Sequence, residues 1–431
     1  MMKKMWTLVL AAMLTLSACT GTNNGNGQGS EEDGNAKDGV TTVEIAVMHT
    51  SRFLEMAVKQ FEQANPNIDI VLKEHMALPE VGSGAMMKAI SQADVEKYVQ
   101  SVTTSLLSGK GSDLILMNNL PEDKFIEKGL LIDLNKLMAS DASFQKSSYY
   151  ENIIGASEHN GGVYAMPFSY TIGVVYGNAD LMSQFHIEVD DGAWTWEQMR
   201  EISDQLKEQA GTEYQLFINL FSSSLLYEYI ASNYSWLVQD GQANFDSERF
   251  RAIMKDIKSL YDEGVLKEDF TYDYDKALFR MGSLSGIGAD SFNQTILQVP
   301  ALEDEGRGSR FQPSLELGLN SQSTVQDEAW AFMKYLLSEE MQSSPELIGI
   351  PMHKGVVAEW LQQASESGDA HQKEQVDAVK MLLEEMGGRK SSDDKVASIA
   401  IEEFAAYMSG QKSAEAVSEI IQNRVMTYLN E

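Results

Sequence analysis

Gly161-Gly162-Val163-Tyr164-Ala165-Met166-Pro167-Phe168-Ser169-Tyr170-Thr171-Ile172-Gly173-Val174-Val175-Tyr176-Gly177 is an extended stretch into which no helix fits. Its β-branched and aromatic residues favour strand, while Pro167 and the glycines interrupt any helical period. Upstream of it, strand and helix patterns alternate, as in an α/β fold with a mostly parallel sheet. Downstream, helical patterns resume and come to dominate.

On the upstream side, a strand at Val43–Val47 leads to a helix over Ser51–Ala64, where Phe53, Met56, Ala57, Gln60, Phe61 and Ala64 recur at helical spacing. Asn65-Pro66-Asn67 ends that helix, because proline disfavours helix in the residue before it. A second strand at Ile68–Leu72, a helix over Ala93–Leu107 and a third strand at Asp113–Met117 follow, and Pro121 opens a short helix. On the downstream side, Thr195 is an N-cap with Glu197 in the first turn. Strands are expected at Tyr214–Ile218, Leu284–Ala289 and Leu315–Asn320, and the C-terminal part reads as almost pure helix. No internal repeat is visible.

The N-terminus carries Lys3 and Lys4, an apolar run over Leu8–Leu14, then Leu16-Ser17-Ala18-Cys19. A basic start, a short apolar core and small residues before a cut site make a secretory signal, residues 1–18, and the core is too short to span a bilayer. Cys19 is the only cysteine, so a disulfide framework is excluded. Leu16–Cys19 resembles the lipobox of bacterial lipoproteins, which implies a diacylglycerol on the Cys19 thiol; a plain signal peptide is the alternative. Thr20–Gly39 has no large apolar residue and reads as a flexible tether, so residues 19–40 form the lipidated cysteine and its leash. No later segment is apolar for long enough to insert in a membrane.

Loss of Lys3 and Lys4, the only charged residues before Cys19, takes the net charge from −31 to −33. Such a charge argues against nucleic acid and against direct attraction to anionic lipid. Catalytic patterns are missing as well. His49, His75, His159, His186, His353 and His371 are scattered without metal-ligand spacing, and no nucleophile elbow or phosphate-cradling loop occurs. Ser392-Asp393-Asp394-Lys395 fits S-x-x-K, yet its companion motifs are absent. The chain reads as a non-enzyme without cofactor or metal.

Four segments resemble the extracellular solute-binding proteins of ABC importers, in particular the sugar-binding family 1 that includes maltodextrin-binding proteins. They are Phe61-Glu62-Gln63-Ala64-Asn65-Pro66-Asn67-Ile68; Gly162–Tyr170 continuing through Val175–Leu181; Trp194-Thr195-Trp196-Glu197-Gln198-Met199; and Glu328–Gln342 followed by Gly349-Ile350-Pro351. Their order over residues 41–355 is more specific than any one of them. Departures from the family pattern at Gly177, Ala193-Trp194 and Asn233-Tyr234-Ser235 leave the sugar open. The resemblance implies a two-lobed, periplasmic-binding-protein-like α/β fold of type II with a helix-rich C-terminus. One lobe is expected from 41–165 plus 318–350 and the other from 166–317 plus 351–431. Crossovers are expected near Tyr164–Tyr170, Leu317–Ser321 and Gly349–Met352, with a ligand cleft between the lobes.

Ligands of open α/β sheets sit at the carboxyl ends of strands. That singles out His49, Ser51 and Arg52; Asn118 and Asn119; Ser169 and Tyr170 on the crossover; Asn219, Phe221 and Ser222; and Asp290, Ser291 and Phe292. Sugars pair apolar faces with hydroxyl rims, so their sites combine aromatic platforms with amides and carboxylates, and Trp236 is a candidate platform. Packing is the alternative for Trp236, turn formation for Asn118 and Asn119, and capping for Asp290. Trp196, Trp330 and Trp360 read as structural, and Tyr272-Asp273-Tyr274-Asp275 as a solvated turn. The expected protein is a monomeric lipoprotein on the outer face of the cytoplasmic membrane, or in the periplasm of a two-membrane cell. It would capture a carbohydrate, an oligosaccharide, and pass it to ABC permease subunits, touching the membrane by its lipid anchor only. The alternatives are a solute-sensing or partner-binding lipoprotein of this fold, or an importer of a non-sugar solute.

Overall fold

The computed structural model describes residues 39–76, 91–239, 241–286, 294–301, 309–391 and 393–430. Cys19, Asp290, Ser291 and Phe292 lie outside the described residues, as does the expected strand segment 287–289. Val40–Glu431 form one compact unit.

The strands are β1 Thr41–Val47, β2 Ile68–Glu74, β3 Leu114–Leu116, β4 Ala165–Gly177, β5 Gln215–Phe217, β6 Val238–Gln239, β7 Gln242–Ala243, β8 Ala277–Leu284, β9 Thr295–Leu297, β10 Phe311–Leu319 and β11 Ile350–Pro351. Helices of the N-terminal part are α1 Arg52–Ala64, α2 Gln92–Leu107, α3 Glu122–Glu127, α4 Leu134–Ser140 and α5 Glu151–Ala156. The middle holds α6 Ala179–Gln184, α7 Trp196–Ala210, α8 Ser222–Ser232, α9 Tyr234–Leu237 and α10 Glu248–Asp262. The C-terminal part holds α11 Gln326–Leu336, α12 Glu339–Gln342, α13 Lys354–Ser367, α14 Ala370–Glu385, α15 Asp394–Met408 and α16 Ala414–Leu429. The local signals act as expected at several ends. Ser51 caps α1 by accepting from Leu54 N, and Thr195 caps α7 in a box with Gln198, with Glu197 in the first turn as expected.

A sheet runs in the order β2-β1-β3-β10-β4-β8-β5, with β9 and β11 also pairing with β4. Its ends are parallel, β1 with β2 and β3, and β5 with β8. Its middle is antiparallel, because β10, β8, β9 and β11 all run against β4. The expected mostly parallel sheet is thus confined to the two ends. The strand expected at Leu284–Ala289 also lies earlier, with Leu284 as its last residue.

Successive strand residues face opposite sides, and β1 and β3 use both. Ile45 and Leu114 pack with Phe53 and Phe61 of α1 and Phe332 of α11, whereas Ala46 and Ile115 pack with Tyr98 and Val102 of α2 and Phe125 of α3. Around the other end of the sheet, a separate core gathers Trp196, Phe217, Leu226, Phe250, Ile257, Phe279, Val396, Phe404 and Ile421. Burying one such ring contributes about 1.5–3 kcal/mol, so each core is a substantial folding unit. Trp196 and Trp330 lie inside these cores and Trp360 packs against one, so all three are structural, as expected.

Packing redraws the expected boundaries. Along β4, Ile172 and Val174 belong to the first core and Val175 to the second, so the switch falls later than residue 166. Helices α13 and α14 pack in the first core, and only α15 and α16 join the second. Leu317 and Leu319, and likewise Ile350 and Met352, pack in the first core. Among the described residues, β4, β8 and β9 each carry side chains of both cores, and Gly387–Ser391 leads from α14 in the first to α15 in the second. Phe311 N donates to Gly388 O at 3.0 Å, Lys390 N to Phe311 O at 2.8 Å, and Ser391 N to Ala231 O of α8 at 3.0 Å. Gly349 serves a different purpose: at φ 102° it passes so close to Tyr170 O that a Cβ would lie 2.9 Å from it.

Candidate functional site

The parallel strands β1 and β3 end side by side, which brings His49–Arg52 and Asn118–Asn119 to one edge of the sheet. Ser51 is occupied as the N-cap of α1, at 3.2 Å from Leu54 N, and Arg52 is exposed on the first turn. His49 Nδ1 is buried without a hydrogen-bond partner. Next to it, hydrogen bonds from Thr50 hold the Glu74 carboxyl below its usual range, with Thr50 N at 2.7 Å.

Asn118 has a specific task. β10 slips register around Pro313 and Ser314, since proline cannot donate to the ladder. Asn118 Nδ2 donates to the freed Ser314 O at 3.2 Å, while its Oδ1 stays buried without a partner. Asn119 is exposed at φ 65°, a conformation asparagine tolerates in turns. Ser169 and Tyr170, expected to face a solute, are interior. Ser169 Oγ donates to Ile348 O at 2.7 Å, and the Tyr170 ring stands edge-on to Tyr150 and Phe311. Their backbones form the centre of the sheet, between β10 and β11, which leaves the side chains no open face. Burial drives the Tyr170 hydroxyl pKa well up.

Asn219, at φ 52°, is bolted to Thr271 by two side-chain hydrogen bonds of 2.9 Å. Ser222 is buried and its N donates to Glu268 Oε1 at 3.0 Å, with Phe221 half-buried beside it. The loop thus acts by fixing segment 268–274, on which Phe270 and Tyr272 are 62% and 80% exposed with rings 5.0 Å apart. Tyr274 is also largely exposed. The run read as a solvated turn therefore presents aromatic faces beside the expected ligand loop. Trp236 lies past the other end of α8, half-buried under the Arg249 guanidinium at 4.4 Å. An eleven-residue helix is about 16 Å long, so Trp236 does not join Phe221.

Between the two cores lies a polar seam. Arg389, on the Gly387–Ser391 crossover, donates from Nη2 to Glu122 of α3 at 2.7 Å and to Glu316 of β10 at 2.9 Å. Glu316 is almost wholly buried; burial, helped by the Glu122 charge and opposed by Arg389, pushes its carboxyl up to about 7. Burial and the Glu122 charge raise Asp123 too. Lys390 pairs with Glu228 of α8 at 2.6 Å. Lys124 donates to Tyr428 O at 3.1 Å and sits over its ring, while Tyr428 OH donates to Asp393 at 2.7 Å. Burial raises the Tyr234 hydroxyl beside Asp393 and Asp123. The sequence reading missed Glu122, Glu316 and Arg389; the signal for Arg389 was Gly387-Gly388 breaking an otherwise helical tail. The seam offers charged and hydroxyl partners in a low-dielectric setting. Among the described residues, no group of three or more His, Cys, Asp or Glu is placed to hold a metal ion.

A family model described as bacterial extracellular solute-binding protein matches residues 49–343. The fold is similar to that of a family 1 extracellular solute-binding protein from Alicyclobacillus acidocaldarius, with a TM-score of 0.62 at 15% identity over 91% of this chain and 99% of the other. It is also similar to the sugar-binding protein MalE from Xanthomonas citri, TM-score 0.63 at 14% identity, covering 90% and 98%. A third similar structure is the cyclic α-maltosyl-1,6-maltose binding protein from Arthrobacter globiformis, TM-score 0.61 at 12% identity, covering 91% and 99%.

Proposed function

The chain belongs to the bacterial extracellular solute-binding proteins, and on that premise we propose that it captures a carbohydrate, an oligosaccharide, at the seam between its two cores and passes it to an ABC permease. One observation carries the sugar reading: the exposed aromatic faces of Phe270 and Tyr272, fixed by Asn219 on the core that shares the charged seam. Aromatic faces match the C–H surface of a sugar, and buried amides and charges match its hydroxyls. The Xanthomonas relative, described as a sugar-binding protein, and the Arthrobacter relative, described as binding cyclic α-maltosyl-1,6-maltose, support the same class.

The mechanism is binding without chemistry. The lobes are proposed as the two cores with their covering helices, hinged on β4, the entry to β10 and Gly387–Ser391. A solute that touches both lobes only when they are closed stabilises closure by its differential affinity, and the permease reads the closed shape. Cys19 is proposed as the lipid attachment point, holding the monomer to the outer face of the membrane. Replacing Cys19 with Ser should release the protein from the membrane fraction, and persistence there counts against the anchor.

Thermal unfolding of residues 40–431 with mono- and oligosaccharides, amino acids and small peptides tests the function. A ligand at 100 times its Kd adds about 2.7 kcal/mol to the folded state. A raised midpoint with one glycan class supports the proposal; a response to amino acids or peptides alone replaces the solute class.

A further inference from the structure

We propose that the solute carries an oxyanion, a uronate carboxylate or a sugar phosphate, and that Arg310 is the side chain that receives it. This rests on the carbohydrate-binding reading above and narrows its class.

Arg310 stands between β4 and the Gly387–Ser391 segment. Its carbonyl accepts from Gly173 N of β4 at 3.0 Å, and the next residue, Phe311, pairs with the Gly387–Ser391 crossover. The guanidinium lies over the Gly388 backbone, where an added Cβ would be 2.8 Å from Nη1. On the other flank, Lys390 Nζ would be 2.9 Å from a Cβ on Gly173. Two glycines thus make room for two cations at one crossing.

The cations differ in how they are satisfied. Lys390 is paired with Glu228, and the neighbouring Arg389 has both Glu122 and Glu316. Arg310 is half-buried, its Nε has no acceptor, and the described residues place no carboxylate within ion-pair distance. Burying the unpartnered Nε costs stability, and burial lowers the Arg310 pKa. On this proposal the solute supplies the acceptor. A guanidinium fork matches the two oxygens of a carboxylate or phosphate, with shorter and stronger bonds than a neutral hydroxyl accepts. The overall negative charge does not oppose this at close range, since physiological salt screens surface charges beyond about 8 Å.

The test is calorimetric titration of residues 40–431, and of its Arg310→Gln and Arg310→Lys variants, with neutral oligosaccharides, oligouronates, sugar phosphates and non-sugar dicarboxylates. Oligouronates or sugar phosphates are expected to bind, more tightly at low salt, and Arg310→Gln to weaken them about 10- to 100-fold. Arg310→Lys should recover part of that loss. The ligand-free melting temperature of Arg310→Gln should not fall, because no partner is lost, which separates a binding defect from a folding one. Uronate and phosphate arms tell the two oxyanions apart. Binding of neutral oligosaccharides alone overturns the inference and leaves the carbohydrate reading standing. Arg310-dependent binding of dicarboxylates without any sugar upholds the oxyanion receptor and overturns the carbohydrate reading. Oxyanions that bind Arg310→Gln as well as the parent, or no oxyanion binding at all, overturn the inference.

Discussion

Two arginines each reach two carboxylates, and only their surroundings differ. Arg389, at the seam, holds Glu122 and Glu316 at 2.7 and 2.9 Å; Arg424, on α16, holds Glu402 and Glu403 of α15 at 2.8 Å each. Side-chain exposure is 15% for Arg389 and 4% for Glu316, against 40% for Arg424 and 60% for Glu402. In water the attraction is screened and offset by side-chain ordering, so a surface fork contributes little. At the seam, desolvation consumes most of the Coulombic gain, yet losing one partner strands the rest. The same geometry therefore fastens helices in one place and fixes the junction of two cores in the other.

The largest expected effect is at the seam. Arg389→Met leaves Glu316 buried without a counter-charge and should cost about 3–5 kcal/mol in denaturant unfolding. A cost below that of Arg424→Ala breaks the comparison. Next comes the pH dependence. Glu316 has its folded pKa raised from 4.5 to about 7, so the folded state binds more protons through that window. Stability should be full below pH 4.5 and decline as pH rises toward about 7, by on the order of 3 kcal/mol at most, and Glu316→Gln should flatten the decline.

Lys390→Met is an intermediate case, because Lys390 and Glu228 are only 11% and 25% exposed; a loss of about 1–2 kcal/mol is expected. The smallest effect is at the surface. Arg424→Ala should change stability by less than about 1 kcal/mol, and less still in molar salt. Its pH sign is opposite to that of Glu316. Lys412 foremost, with Arg424, lowers the Glu403 pKa, so this contribution is present above 4.5 and lost as pH falls through the folded value. Opposite pH slopes for Glu316→Gln and Glu403→Gln would sharpen the contrast; equal slopes would dissolve it.

Much of the fold was legible because its signals are local. Ser51 and Thr195 cap helices, Asn65-Pro66 ends one, and the alternation of β1, α1 and β2 needs only neighbouring residues. The seam was not legible, since Glu122, Glu316 and Arg389 come from three distant stretches that only the folded chain unites. Gly349 reads as a hinge in sequence, and in the fold it answers a close approach to Tyr170 O. The strand-end rule found Asn118 and Asn219, yet both side chains secure other segments, and the exposed rings lie on the segment that Asn219 secures.

β4 has a further consequence, in the timing of folding. Its partners are Ala277–Leu284, Thr295–Leu297, Phe311–Leu319 and Ile350–Pro351, all far downstream. Neither core can pair its central strand until most of the chain has been made, and such long-range pairing is intrinsically slow. Once paired, the strand joins both cores, so loss of either strips hydrogen bonds from the other and the two should melt together.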